Sequence, residues 1–330
     1  MKKIIAIISV LVTLFTLVAC KTPIIPARSL RWVEGEVLEY TVTHADKKYY
    51  DVLEVAGALL NPENSTGVYT SKVTKVDVAK GNETTLETDL EIWSSYPKAK
   101  VGDISKIGIP SQRVRDDATN SKNIEFLTTV KTTVVFPLYK CTTVKIESQD
   151  VIIVVDDKDK YHVEYNDFVA ECLTFTDKAV YSLKHNNKAY PDVENATINL
   201  NKAGDYTDNA ALLFIARSLD MAALKSAGNV SIIATDIVYG ATRQVTIATT
   251  SADSAALNNL AGGEEKVKDL LKVRISTGAS IEGSYNYLYF DVNDKIDVNP
   301  DNVIDGVAYD ICKNRILYMQ QGHLLFTLKV

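Results

Sequence analysis

Apolar and polar residues alternate with a period of two through most of the chain from residue 35 onward. This period is typical of β-strands with one buried face, and over 37–43 it places Leu38, Tyr40 and Val42 on one side. Lys80-Gly81-Asn82 and Gly322 are predicted hairpin turns. We predict further strands where the alternation returns between turn residues, at 49–55, 68–78, 84–93, 124–136, 142–146, 151–155, 161–165, 230–238, 242–249, 273–276, 285–292, 307–311, 316–320 and 324–328.

A helical period replaces this alternation after residue 205. Thr207 or Asp208 is the predicted N-cap, because either side-chain oxygen can accept a first-turn N–H, and Gly228 ends the pattern. We therefore predict one amphipathic helix over 208–225 and a short charged helix over 264–271. The residues expected to face the core are Ala211, Leu212, Phe214, Ile215, Leu219, Met221 and Ala222.

The fold class that follows is mainly β, with antiparallel strands far outnumbering helices. Residues 35–330 form the β-rich body, and their number suits either one large domain or two lobes that divide near 186–205.

The first nineteen residues have a different pattern. Lys2 and Lys3 precede an apolar run over 4–18, which has the length of a signal-peptide core and falls short of the ~20 residues that span a bilayer. The run ends in Leu17-Val18-Ala19-Cys20, which resembles the lipobox of bacterial lipoproteins. An ordinary secretory peptide that contains a cysteine is the alternative.

The lipobox resemblance implies cleavage of a signal peptide, 1–19, and attachment of acyl chains of the palmitate type to Cys20. Residues 20–34 would then be a lipidated tether that holds the body at the cell membrane or the outer membrane. Lys21 replaces the aspartate that retains such lipoproteins at an inner membrane, so the resemblance implies export to the outer membrane where one exists.

The net charge and the cysteine spacing restrict which partners and metal ions this chain is expected to bind. Removal of the leader leaves 34 basic and 42 acidic residues, a net charge of −8, which disfavours nucleic acid as a partner. Cys141, Cys172 and Cys312 show no CxxC spacing, so we expect buried structural thiols and no zinc site. A disulfide between two of them stays open, with Cys141 and Cys172 the nearer pair.

Catalytic and ligand-binding motifs are missing from the sequence. It has neither G-x-S-x-G nor a phosphate-binding glycine loop, so we predict no catalytic residue and no cofactor. His44, His162, His185 and His323 are isolated along the chain, and each is expected at the surface or a strand edge. The acidic stretch 291–302 could supply oxygen ligands to Ca²⁺, but Lys295 and Ile296 occupy key loop positions, and we predict an ordinary turn without metal.

Three segments together resemble a bacterial envelope-protein family of unknown function: 35–40, 208–213 and 322–328. The resemblance implies a strongly curved antiparallel sheet or open barrel packed on one amphipathic helix, similar to the open barrels of lipoprotein carriers.

Two hypotheses for function follow. The first is a non-enzymatic, membrane-anchored envelope lipoprotein that binds an apolar or glycan ligand in the concave face of its sheet. The second is a structural or adhesive surface protein that binds another envelope macromolecule.

Overall fold

The computed structural model describes residues 30–45, 60–80, 83–106, 108–136, 143–155, 160–174, 178–186, 190–200, 206–250, 269–276, 286–291, 303–304, 307–308, 310–311 and 314–329. The strands of its first part are β1 Leu30–Arg31, β2 Val37–His44, β3 Asn64–Asp77, β4 Glu83–Pro97, β5 Val114–Asp116, β6 Asn123–Phe136, β7 Thr143–Gln149, β8 Val151–Val155, β9 Tyr161–Tyr165, β10 Phe168–Thr174, β11 Lys178–His185 and β12 Val193–Asn199.

The second part continues with β13 Tyr206–Asp208, β14 Asn229–Asp236, β15 Ala241–Thr249, β16 Leu271–Ser276, β17 Asn286–Asp291, β18 Val303–Ile304, β19 Val307–Ala308, β20 Asp310–Ile311, β21 Arg315–Gln321 and β22 Leu324–Leu328. The α-helices are α1 Lys98–Val101, α2 Leu212–Arg217 and α3 Met221–Ala227. Short 3₁₀ turns occupy Val78–Lys80, Ile104–Lys106, Ser111–Arg113 and Asn209–Ala211.

One 16-stranded sheet organises the fold, in the order β12-β11-β10-β7-β6-β4-β3-β2-β22-β21-β17-β16-β15-β14-β13, with β5 also paired to β6. β13 runs parallel to β14, and the other ladders of this sheet are antiparallel. Three two-stranded ladders accompany it: β8 with β9, β18 with β19, and β1 with β20.

In the middle of the sheet, the first long strand of the body pairs with the last strand. β2 pairs with β3 on one side and with β22 on the other, in a register that sets Tyr40 opposite Leu328 and His44 opposite Leu324. The predicted buried face of β2 is confirmed, since Leu38, Tyr40 and Val42 are at most 6% exposed.

The sheet is strongly curved, because its inner face wraps around the helices. One buried cluster contains Leu183 and Ile198 from β11 and β12, Ile232 from β14, and Phe214 and Leu224 from the helices. The mainly β, curved antiparallel fold predicted from the sequence is thus confirmed, and the sheet does not close into a barrel.

Residues from strands near opposite ends of the sheet come very close together at Gly240 and Tyr181. A Cβ atom on Gly240, in the turn between β14 and β15, would lie 2.2 Å from the hydroxyl oxygen of Tyr181 on β11. Gly240 also has a φ of +64°, which favours glycine. Glycine at this turn therefore has a second role, because it leaves room for the Tyr181 ring.

Several strand predictions match closely, and seven strands were missed. The predicted ranges 151–155, 161–165 and 324–328 coincide with β8, β9 and β22. The predicted strand at 49–55 lies outside the described residues. No strand was predicted at β1, β5, β10, β11, β12, β13 or β18. The helix expected over 264–271 lies mostly outside the described residues, and its last position, Leu271, begins β16.

The single helix predicted over 208–225 is divided in two. Asp208 caps the preceding 3₁₀ turn by accepting from the Ala210 N–H, as expected, but α2 ends at Arg217 and Asp220 caps a new helix, α3. The break changes the buried stripe of α3, so that Met221 and Leu224 face the core and Ala222 is exposed. The prediction that Ala222 faces the core is therefore wrong.

Arg217 anchors the end of α2 to two other parts of the chain. Its side chain is 3% exposed, and Nη2 donates to Glu36 Oε1 at 2.9 Å while Nε donates to the Asn314 carbonyl oxygen at 2.8 Å. The guanidinium carbon lies 4.8 Å from the centre of the Trp32 ring, and Trp32 meets Phe214 edge-on at 5.9 Å. This cluster ties the helix to the segment before β2 and to the segment before β21.

A second, smaller core lies under the β8–β9 hairpin. It includes Tyr96, Phe126 and Ile153, and Arg113 closes one side through two hydrogen bonds to Asp167, at 2.7 and 3.0 Å. No helix within the described ranges is both long and apolar enough to cross a bilayer.

The Arg217–Glu36 pair predicts that neutralising Glu36 destabilises the protein much more than neutralising the nearby Glu39. Glu36→Gln should lower the free energy of unfolding by about 3 kcal/mol or more, because it leaves a buried guanidinium without its counter-charge. Glu39→Gln, the matched control, removes only an exposed pair with Lys329 and should cost at most about 1 kcal/mol. Urea unfolding followed by circular dichroism measures both, and equal losses would contradict the anchoring role.

Candidate functional site

The concave face, where the sequence analysis expected a ligand, is largely covered by the helices. Phe214, Ile215 and Leu224 are at most 2% exposed and pack on the inner face of the sheet. Most of the apolar surface inside the curve therefore stabilises the fold, and a ligand would have to bind at the margin of the helices.

A cleft of about 540 Å³ lies at that margin, between α3 and the start of β16. Its apolar lining comes from Met221, Ala222, Leu270 and Leu271. Its polar lining consists of Lys225, Asp269 and Asn314. A cleft of this size with apolar walls and a few polar groups has the general character of a small-molecule site.

The break between α2 and α3 shapes this cleft. The Asn314 side-chain amide donates to the carbonyl oxygens of Arg217 and Leu219 at 2.8 and 2.9 Å, which satisfies groups that a continuous helix would have bonded internally. The Asp220 carboxylate then accepts from the Ala223 N–H at 2.9 Å and starts α3 in a new direction. Ala222 and Lys225 consequently face the cleft and solvent.

The outer face of the sheet has a polar depression of about 400 Å³. It crosses β3, β4, β6 and β7 and is lined by Thr70, Lys72, Glu87, Thr88, Asp89, Lys131, Thr132, Thr133, Lys145 and Glu147. Lys131 lies 3.7 Å from Asp89, and Lys145 lies 2.5 Å from Glu147. Hydrogen bonding to Glu147 raises the pKa of Lys145. Because these opposite charges balance one another, the depression is a solvated face of alternating sign.

A polar row crosses the inner face at the far end of β2. His44 and His323 have ring centres 5.3 Å apart, Ser65 Oγ lies 3.4 Å from His44 Nδ1, and Ser94 Oγ lies 3.1 Å from Ser65 Oγ. Burial, and secondarily the neighbouring His44, lower the pKa of His323 to about 4. His44 and His323 are isolated along the sequence, but the fold makes them neighbours.

Beside this row, Asp117 organises the loop after β5. Its carboxylate accepts from Ser95 Oγ at 2.5 Å and from the Thr119 hydroxyl and backbone N–H, both at 2.7 Å. Hydrogen bonding from Ser95, and then from Thr119, lowers the pKa of Asp117 to about 2. These contacts satisfy the carboxylate within the fold and describe a structural cluster.

The other cysteines and histidines considered in the sequence lie partly within and partly outside the described residues. Cys20, Cys141 and Cys312 lie outside the described residues, as does the acidic stretch after Asp291. Cys172 is buried, as expected. His162 contacts Glu164, and His185 packs against Phe168 and Tyr190. Within the described parts of the chain, no group of three or more His, Cys, Asp or Glu side chains is placed to hold a metal ion.

Comparison with solved structures finds chains of similar fold. The crystal structure of a β-barrel-like protein of a domain of unknown function, DUF1849, from Brucella abortus aligns with a TM-score of 0.46 and 11% sequence identity. The alignment covers 91% of this chain and 97% of that one. No protein-family model matches the chain, and no curated protein is similar to it in sequence.

The buried carboxyl of Asp208 predicts a pH-dependent stability. Burial is the main reason why its pKa rises from 3.8 to about 6, although Thr235 Oγ1 and the Ala210 N–H both donate to it. Between these two values the folded protein holds a proton that the unfolded chain has lost, so this group lowers stability as pH rises from about 4 to 6.

Asp208→Asn removes that titration and retains an N-cap residue. We expect the variant to gain stability relative to the parent between pH 4 and pH 7, by about 2–3 kcal/mol at the upper end. Urea unfolding of both proteins across this range tests the prediction. Other carboxyl groups, such as Asp117, titrate in both proteins and cancel in the comparison, so a constant difference across pH would contradict it.

Proposed function

We propose that this chain is a non-enzymatic lipoprotein of the bacterial cell envelope, anchored to a membrane through acylated Cys20, which binds an apolar ligand in the cleft between α3 and β16. The observation that carries the binding role is the cleft itself, with Met221, Leu270 and Leu271 in its walls. A non-enzymatic role is supported by the absence from the sequence of recognisable nucleophile, phosphate-loop and metalloprotease motifs.

The lining favours an apolar ligand over a glycan. Sugar-binding clefts commonly use aromatic faces, and the seven described residues that line this cleft are aliphatic, charged or amide side chains. Lys225 and Asp269 carry opposite charges, which suits a ligand with an apolar body and a polar end.

The second candidate function is a structural or adhesive role, in which the protein binds another envelope macromolecule. The observation in its favour is the outer face, where Lys72, Glu87, Asp89, Lys131, Lys145 and Glu147 present alternating charges across four strands. Such a face can recognise a complementary charged surface with modest affinity and strong dependence on salt.

The cleft can be tested by filling it. Ala222→Trp places a large ring on an exposed position that lines the cleft, whereas Ser226→Trp places the same ring on an exposed position of α3 that does not line it. After purification in mild detergent, native mass spectrometry with lipid extraction should find an apolar molecule bound to the parent and to the Ser226→Trp variant. The Ala222→Trp variant should lose it.

An empty parent protein, or equal occupancy in both tryptophan variants, would contradict binding in this cleft. An empty protein that instead co-purifies with an envelope protein, in a complex that dissociates at high salt, would support the adhesive role.

Anchoring is tested separately by Cys20→Ser. Because one or more acyl chains on the cysteine would supply the membrane affinity, the variant should lose labelling by a palmitate analogue and move to the soluble fraction after cell lysis. Cys172→Ser, a change at a buried cysteine of the body, should leave both properties unchanged. Membrane partition that survives Cys20→Ser would rule out the lipid anchor.

A further inference from the structure

We infer that His44 and His323 together form a binding site for a divalent transition-metal ion at the end of the inner face of the sheet. The inference rests on the position of the two imidazole rings and is independent of the proposed ligand in the cleft beside α3. The two residues lie far apart in the sequence and are brought together by the ladder between β2 and β22.

The backbone fixes both residues before any metal is present. His44 ends β2 opposite Leu324, and His323 follows Gly322 in the turn between β21 and β22. The Ala45 N–H donates to the His323 carbonyl oxygen at 2.7 Å, so that the two histidines are held by adjacent pairs of the same ladder. A preformed site of this kind loses little conformational entropy when an ion binds.

The spacing of the rings fits a shared ion. Imidazole nitrogens bind zinc at about 2.0–2.1 Å, and two rings on one tetrahedral ion then have centres about 5 Å apart. The ring centres of His44 and His323 are 5.3 Å apart, and their planes are inclined by 39°. Small rotations about the side-chain torsions would therefore suffice to direct one nitrogen of each ring at a common point.

The surroundings of His44 and His323 suit a metal ion that prefers imidazole ligands. Ser65 Oγ lies 3.4 Å from His44 Nδ1, a contact of the kind that orients a metal-binding imidazole through its other ring nitrogen. Both rings are only partly buried, so an ion can reach them. Imidazole ligands generally bind Cu²⁺ more tightly than either Ni²⁺ or Zn²⁺. Water would fill the remaining coordination positions of the ion.

The other two described histidines have different surroundings. His162 Nε2 lies 2.8 Å from Glu164 Oε1 on the same strand, and its side chain is 47% exposed. The ring of His185 packs between the aromatic rings of Phe168 and Tyr190. His162 is therefore a suitable control position, because it is an accessible histidine without a second imidazole among its described contacts.

The test uses the purified full-length protein without a polyhistidine tag. Isothermal titration with Cu²⁺ should show one ion bound per chain, and electron paramagnetic resonance should show coupling to imidazole nitrogens. His44→Gln and His323→Gln should each weaken binding at least tenfold, since loss of a metal-orienting group alone costs about 10–100-fold. His162→Gln should bind Cu²⁺ as the parent does.

Equal Cu²⁺ affinity in the parent and both pair variants, or loss of binding in His162→Gln alone, would overturn the inference. A measurement on the unmutated protein covers the case in which a variant fails to fold. Zn²⁺ should slow modification of both His44 and His323 by diethylpyrocarbonate, read by peptide mass spectrometry, and leave His162 unchanged. Unprotected His44 and His323 at saturating Zn²⁺ would equally overturn it.

Discussion

A buried guanidinium determines how the helices sit inside this sheet. Arg217 cannot be removed from water without partners, and it finds them in Glu36, in the Asn314 carbonyl and in the face of Trp32. Glu36 and Trp32 belong to the segment before β2, and Asn314 belongs to the segment before β21. A buried charge that needs these particular partners favours this placement of α2 over others that apolar packing alone would tolerate.

The same cluster accounts for the shape of the cleft. Once the end of α2 is fixed, the carbonyl oxygens of Arg217 and Leu219 need donors, and the Asn314 amide supplies both. α3 can then leave at an angle, with Met221 and Leu224 in the core and Ala222 outside it. The part of the protein proposed to bind a ligand is thus the boundary between the packed interior and a helix that packs only along one side.

The alternation of apolar and polar residues correctly located the strands that have one apolar face. β2, β8, β9 and β22 alternate cleanly and were located within a residue or two of their ends. β10 was missed because Val169 and Leu173, 37% and 54% exposed on its outer face, hide the alternation. β12 is an edge strand with a mostly polar sequence, so its pairing with β11 leaves little trace in hydrophobicity.

The break in the helix and the histidine pair depend on contacts that no local pattern contains. A helical period running from Leu212 to Leu224 predicts one helix, and only the distant Asn314 explains why it ends at Arg217. Asp220, a good N-cap residue within the run, was the available signal for a second helix. For His44 and His323 there was no equivalent signal, because their proximity arises from the pairing of the first long strand with the last.

That pairing also constrains the order of events during synthesis. β2 is among the first strands to be made and β22 is the last, yet they are neighbours in the middle of the sheet. The central ladder cannot close until the final residues are available, and contacts of such long sequence separation make folding slow. Strands that are close in sequence can pair as they are made, but the ladder that joins the two halves of the sheet forms only after β22 has been synthesised.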